Sequence, residues 1–231
     1  MVIPHGASSF RRKLVRWNAS DRLTTSFEFY AELAMRYVKD HKLRTRKRIV
    51  ERASYGLRRK GADGMSVVDL MKLAGLTHGG FYAYFDSRDD LVVEAFALAM
   101  DQTIARWLEL AEEMPVEERF DGVVDAYLSP RHRDNQEGGC ALPALGADIG
   151  RSNQKARRIF ATKLEEMIDV LARLLPQKSP MEGRQIATGA IATMMGSIVL
   201  ARAVGNKMLS GDILHAGRQA VRKQAAVRRA K

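Results

Sequence analysis

No proline falls between His5 and Met114, and nowhere does the chain alternate β-branched with polar residues. Proline is the residue that a helix interior tolerates least, and alternation is the signature of a half-buried strand. Both features leave helix as the state for most of the 231 residues. The fold expected is all-α.

Punctuation divides the helices. Residues 1–25 have few periodic apolar positions and read as loose, while Phe27, Tyr30, Ala31, Ala34 and Val38 have the spacing of a short helix. Thr45 is placed to cap a helix to about Lys60 that puts Ile49, Ala53 and Leu57 on one face, closed by Gly61. Ser66 opens a second helix with Asp69 in its first turn, and Gly75-Leu76 makes the bend. Thr77 is placed to cap a third, ending near Tyr84, and Ser87 a fourth, with Leu91, Ala95, Leu98 and Trp107 on its apolar side. Beyond Pro115 the expected helices are 117–128, 140–149, 153–175, 181–204 and 210–222, with a polar loop over 129–139. The uncharged run Gln185–Ala201 is shorter than the roughly 20 residues that span a bilayer, and it is rich in Ala, Gly, Ser and Thr. A helix buried in protein, closely approached by another, is the reading; no membrane partner is expected.

Charge narrows the function. Lys plus Arg exceed Asp plus Glu by 38 − 27 = 11, and the excess is uneven. Residues 1–40 carry 7 basic and 4 acidic groups, 41–90 carry 11 and 6, 91–217 carry 14 and 17, and 218–231 carry 6 and 0. A basic segment ahead of a mildly acidic body suits a polyanion partner, nucleic acid first. The single cysteine, Cys140, can form neither an internal disulfide nor a Cys-rich zinc site. Arg11-Arg12-Lys13 is followed by no apolar run of the secretory kind, so a reducing cytoplasm is the expected compartment. The sequence offers no Gly-rich phosphate loop, no His-x-x-x-His pair and no paired acids on one helix face, so neither enzyme activity, a catalytic residue, a metal nor a cofactor is expected.

Ser66 to Tyr84 carries the function. Two short capped helices about a glycine turn make a helix-turn-helix, whose second helix enters the major groove. Thr77, His78, Gly79 and Gly80 are small or hydrogen-bonding, as a groove-facing N-terminus requires, although a glycine pair can also be a plain turn. Phe81 and Phe85, four apart, are core positions; Tyr82 then points elsewhere and can donate to a phosphate.

Thr45-Arg46-Lys47-Arg48-Ile49, Met65-Ser66-Val67, Ala74-Gly75-Leu76, Phe81-Tyr82-Ala83-Tyr84-Phe85 and Ser87-Arg88-Asp89-Asp90-Leu91 together resemble the DNA-binding domain of TetR-family transcriptional repressors over about 50 residues. The string Leu76-Thr77-His78-Gly79-Gly80-Phe81-Tyr82 is similar to one subgroup, and His132-Arg133-Asp134 with Gly139-Cys140-Ala141-Leu142 also occurs in such relatives. The resemblance implies a homodimer joined through the helices near 181–204 and 210–222, a near-palindromic double-stranded operator, and a small-molecule ligand, not identified by the sequence, that releases it. It implies phosphate contacts from Thr45, Arg46, Ser66, Tyr82, Tyr84 and Arg88, base reading by Thr77, His78 and Gly79, and a place for Arg48 in the DNA-binding set. Tyr84 stands where relatives usually have His, and Arg88 where Lys is commoner; both still donate.

The resulting domains are 1–40, an N-terminal extension partly disordered; 41–90, the reader; 91–217, the ligand-binding and dimerisation body; and 218–231, a basic tail expected to fray. Residues 1–34 are read as an upstream extension, with a DNA-reaching basic arm as the alternative. Phe96, Trp107, Phe160, Met167, Met194 and Met195 line either a pocket or a plain core. His132 either touches ligand or braces a loop. Cys140, near a helix start and basic residues, is either a sensor thiol in the pocket or a small buried apolar residue. Two rival functions remain at this level: a non-specific basic nucleic-acid binder, and an enzyme using Cys140 with His132.

Overall fold

The computed structural model describes residues 19–175 and 178–226, with side chains from residue 36 onward. The chain divides between Arg44 and Thr45 into two compact units. The first contributes the early turns of α1 (Ala19–Lys60), whose side chains over 36–44 are exposed, Val38 among them. The other residues of the expected Phe27–Val38 face, and the basic cluster at 11–13, lie outside the described side chains.

The second unit, from Thr45 onward, has helices throughout and no strand among the described residues. Thr45 does not start a helix, because nothing from Val38 to Arg44 breaks one; it lies within α1 with 6% of its surface exposed. Ile49, Ala53 and Leu57 are fully buried on the expected face. Gly61 ends α1 at a positive φ of 73°, its N–H bonded to the Leu57 carbonyl. Ser66 caps α2 (Val67–Leu73) in a reciprocal box: its Oγ accepts from the Asp69 N–H, and its own N–H donates to Asp69 Oδ2 at 3.0 Å. Gly75, at φ 71°, supplies the bend. The third element is a 3-10 helix, His78–Ala83, and the Thr77 side chain makes no capping bond, contrary to expectation. Two adjacent glycines weaken an α-helix, and the tighter i→i+3 bonds from Gly80 to Thr77 and from Tyr84 to Phe81 replace it.

Ser87 caps α3 (Arg88–Glu112), which at 25 residues runs roughly 37 Å from the reader into the body. There it meets α4 (Arg119–Tyr127), α6 (Leu142–Gly150) and α7 (Gln154–Arg173). The expected loop at 129–139 contains a short helix, α5 (Pro130–Asp134), because Ser129 caps it and Pro130 suits its first position. α8 (Pro180–Ala203) is long and apolar enough to cross a membrane by length and composition alone, yet it packs between α7 and α9 (Lys207–Ala226). Its Ile186, Ala190, Met194 and Ile198 are buried. A β-carbon on Gly217 would sit 2.4 Å from Ser197 Oγ, so α9 approaches α8 as closely as the small residues suggested. The basic tail is not frayed through its first nine residues. Arg218 and Arg222 reach Asp125 and Asp121, one turn apart on α4, and hold α9 in helix to Ala226; residues 227–231 lie outside the description.

Candidate DNA interface and effector cavity

The reader is organised around two aromatic rings. Phe81 and Phe85 are buried and stacked 5.6 Å apart, which fixes the 3-10 helix on α2 and α1. That leaves Thr77, His78 and Gly79 exposed at its start and Tyr82 71% exposed beside them. Neither Gly79 nor Gly80 has positive φ among the described residues. A β-carbon at Gly79 would meet nothing within 4 Å, and one at Gly80 only Met71 Cε at 3.9 Å. Nothing inside the chain therefore demands glycine at either position, which separates this pair from the turn glycines Gly61 and Gly75.

The other expected DNA residues fall into two groups. Arg48 and Ser66 are exposed, and Tyr84 is half-buried. Ser66 also donates through its hydroxyl to Asp69 Oδ2 at 2.6 Å, and those bonds hold the Asp69 carboxyl below its usual range. Thr45 is buried, and Arg46 and Arg88 are engaged within the protein. Arg46 forms a two-pronged pair with Glu94, donates to the Tyr84 carbonyl at 3.2 Å, and lies 4.7 Å from the Phe85 ring centre. Arg88 donates to the carbonyls of Ala62 and Met65. A helix start that must hold the α1–α2 turn recruits the nearest strong donor, and Arg88 is there.

A cavity of about 390 Å³ opens in the body between α3, the end of α4 and α5. Thr103, Arg106, Trp107 and Leu110 form one wall, and Tyr127, His132 and Gly138 the other. Trp107 and His132 were expected there. Phe96, Phe160, Met167 and Met194 are not on this wall; Phe96 and Phe160 stack 5.4 Å apart, and Met167 and Met194 are buried in the helical core. Their helical spacing marks a packed seam, the bland alternative. Cys140 lies just behind the wall, fully enclosed, and burial pushes its thiol up, against a ready thiolate. His132 is held at both nitrogens. Nδ1 bonds to the Tyr127 carbonyl at 2.7 Å, so it carries the proton, and Nε2 accepts from the Cys140 N–H at 3.0 Å. Burial lowers its pKa to about 4, so the ring is neutral near pH 7. His132 thus braces the loop, and neither ring nitrogen is left for acid–base work.

Sequence reasoning missed Arg58. Only 2% exposed, it reaches from α1 to the cavity's back wall: Nη1 donates to the Gly139 carbonyl at 3.0 Å and Nη2 to Gln102 Oε1 at 3.2 Å. Burial, with Arg106 nearby, lowers its pKa to about 10. It was hidden inside the run Arg58-Arg59-Lys60, which reads as a solvated face. Further bonds tie reader to body, among them Arg59 to Glu137 at 2.7 Å, the Ala62 N–H to Asp148 Oδ2 at 2.8 Å and Lys155 to Asp90 at 2.6 Å.

Residues 49–95 match the family model described as bacterial regulatory proteins, tetR family. An HTH-type transcriptional regulator of Mycobacterium tuberculosis is 25% identical over 178 residues, which cover 74% of this chain and 90% of the relative. A TetR-family regulator from Cytophaga hutchinsonii superposes with a TM-score of 0.65 at 19% identity, over 79% of this chain and 95% of that one. The transcriptional regulator FadR of Bacillus subtilis, solved with stearoyl-CoA, gives 0.60 at 18%, over 78% and 97%. The two structures share the fold, and the reader itself carries the family pattern. Over residues 49–95 this chain matches the DNA-binding domain of the TetR family of bacterial regulators, and its fold is that of TetR-family structures.

Proposed function

We propose that this regulator is a cytoplasmic repressor, without enzymatic activity, that grips a near-palindromic operator as a homodimer and releases it when a small molecule enters the α3–α5 cavity. The observation that carries the reading is the open pair Gly79-Gly80. With no demand from φ or packing at either residue, what a side chain there would obstruct is a surface brought up from outside, and His78 and Tyr82 flank it. Base reading is assigned to Thr77, His78 and Gly79, and phosphate contact to Arg48, Ser66, Tyr82 and Tyr84. Arg46 and Arg88 are assigned to bracing, and reach DNA only by exchanging their present partners, while Thr45, buried, is assigned to packing. The Leu76–Tyr82 string assigns the chain to the subgroup it resembles.

Residues 41–90 are assigned to the reader and 91–217 to the effector and dimer body. Release follows from the Arg58 connection: a ligand that moves the Gly138–Cys140 wall moves the acceptor of Arg58, and with it α1. A ligand biases the equilibrium only by its difference in affinity for the two arrangements. FadR's stearoyl-CoA is consistent with effector binding in a body of this fold.

Competition binding tests the proposal, with the DNA upstream of the protein's own coding region at about 0.15 M salt, where non-specific contacts are weakened. A complex that survives a large excess of random DNA is expected. Loss of every complex, there and in a selection from a random library, would leave a non-specific binder.

A further inference from the structure

Arg58, Arg106 and Arg202 gather around the Tyr127–His132–Cys140 cluster, and none of them forms an ion pair among the described residues. Arg58 and Arg202 are satisfied by neutral acceptors. Arg58 bonds Gly139, Gln102 and Ser54, while Arg202 donates to the carbonyls of His132 and Arg133, each at 3.0 Å. Arg106 is different. It gives one bond, to Thr103 Oγ1 at 3.1 Å, and lines the cavity. A guanidinium carries five N–H donors in a planar fork, so most of its capacity has no protein acceptor among the described residues. His132, neutral and committed at both nitrogens, adds no counter-charge.

Acidic residues do line the cavity. Glu109, one turn from Arg106, and Glu113 lie on the same α3 wall; all three are exposed, so water and salt screen the acids' effect on Arg106, while Arg58, buried, and Arg202, half-buried, add positive charge that is screened less. Glu113 is seven residues from Arg106, about 10 Å along the helix axis. Trp107 and Leu110 occupy the stretch between. The cavity therefore carries Arg106 and Arg131 on its wall, with Trp107 and Leu110 beside Arg106, exposed acids at Glu109 and Glu113, and the guanidiniums of Arg58 and Arg202 behind the wall.

We propose that the effector is a small organic carboxylate whose anionic group pairs with Arg106 while its apolar body lies on Trp107 and Leu110. Fork-to-fork geometry selects a planar carboxylate. The volume of about 390 Å³ lies at the small end of ligand sites, so a compact aromatic or short aliphatic acid fits. Pairing also offsets the repulsion between Arg106 and Arg58, the residue that holds the Gly139 carbonyl. The inference rests on the effector-responsive reading above, but its test is separable.

The experiment is thermal shift and tryptophan fluorescence on the full chain with phenylacetate, indole-3-acetate and octanoate, each beside its primary amide and its amine analogue. Saturable stabilisation by at least one acid, absent with its amide and amine, is expected. Arg106→Gln should weaken that acid by about tenfold or more, as loss of a two-pronged charge-assisted pair does. Ala126→Leu, which narrows the same cavity without touching a charge, should weaken it too and covers the case of an unstable Arg106 variant. Equal effects of acid and amide, preference for the amine, no response to any acid, or unchanged binding in the variants would each overturn the inference. Operator competition runs in parallel: an acid that binds without releasing operator leaves the carboxylate site standing and removes the effector reading.

Discussion

His78 and Tyr82 are both exposed on the 3-10 helix but present different chemistry. A histidine at the helix start can read a base edge, whereas a phenol one turn on reaches a phosphate. His78→Ala should cost about 1–3 kcal/mol on operator and little on random DNA. Tyr82→Phe should weaken both alike. Titrations on the two DNAs check this; equal losses for His78→Ala would remove its base-reading role. His132 gives a second prediction at this scale. Its pKa falls from 6.5 to about 4 on folding, chiefly through burial. Between those values the unfolded chain takes up a proton that the native ring refuses. The contribution is present in full above about pH 6.5 and is lost as pH falls toward 4, amounting to roughly 1–2 kcal/mol by pH 5. The margin in melting temperature between wild type and His132→Gln should therefore shrink from pH 7.5 to pH 5. Parallel melting curves at the two pH values would contradict it.

Between elements, position in the fold outranks residue type. Arg58 and Arg59 are neighbours on α1 and each joins reader to body, yet one is buried and the other exposed. Removing Arg58 strands the buried Gly139 carbonyl, which costs about 1–3 kcal/mol, and takes a partner from the half-buried Gln102 amide oxygen. Breaking the exposed Arg59–Glu137 pair costs about 0–1 kcal/mol. Chemical unfolding should rank Arg58→Met well below Arg59→Ala; similar midpoints would mean the α1–wall connection contributes little. The element boundaries were legible where a side chain caps a helix, as at Ser66, Ser87 and Asn153, because that bond is local. The boundary expected at Thr45 was illegible, and at Thr77 the boundary holds while the capping bond and the helix type do not. A threonine can equally lie within a helix, and neighbouring glycines shift the preferred helix type; those outcomes depend on residues outside the local pattern.

For the whole molecule, the question is what covers α8 and α9. Their inner faces pack on each other and on α7, α4 and α6, while Leu200 remains 56% and Met208 76% exposed. In the proposed homodimer these apolar residues meet their counterparts on a second copy, since isologous contact needs only one self-complementary patch. Leu200→Lys should yield a monomer by light scattering while circular dichroism stays helical. It should also abolish operator binding, because the two readers lose their fixed spacing. A dimer that persists through Leu200→Lys would move the interface elsewhere.

The all-α class, the reader's core of Ile49, Leu57, Phe81 and Phe85, and the glycine bends were settled by the sequence itself. Each rests on backbone preference or on helical spacing within a few residues. The cavity was not. Helical periodicity marks which residues turn inward, but it cannot tell a filled seam from an open one, so Phe96, Phe160, Met167 and Met194 looked the same as Trp107. Only the tertiary structure separated them, because a void exists where α3, α4 and α5 fail to close, and that depends on contacts far apart in the chain. The same long-range packing took Arg58 out of a solvated basic run and set it against Gly139, 81 residues away.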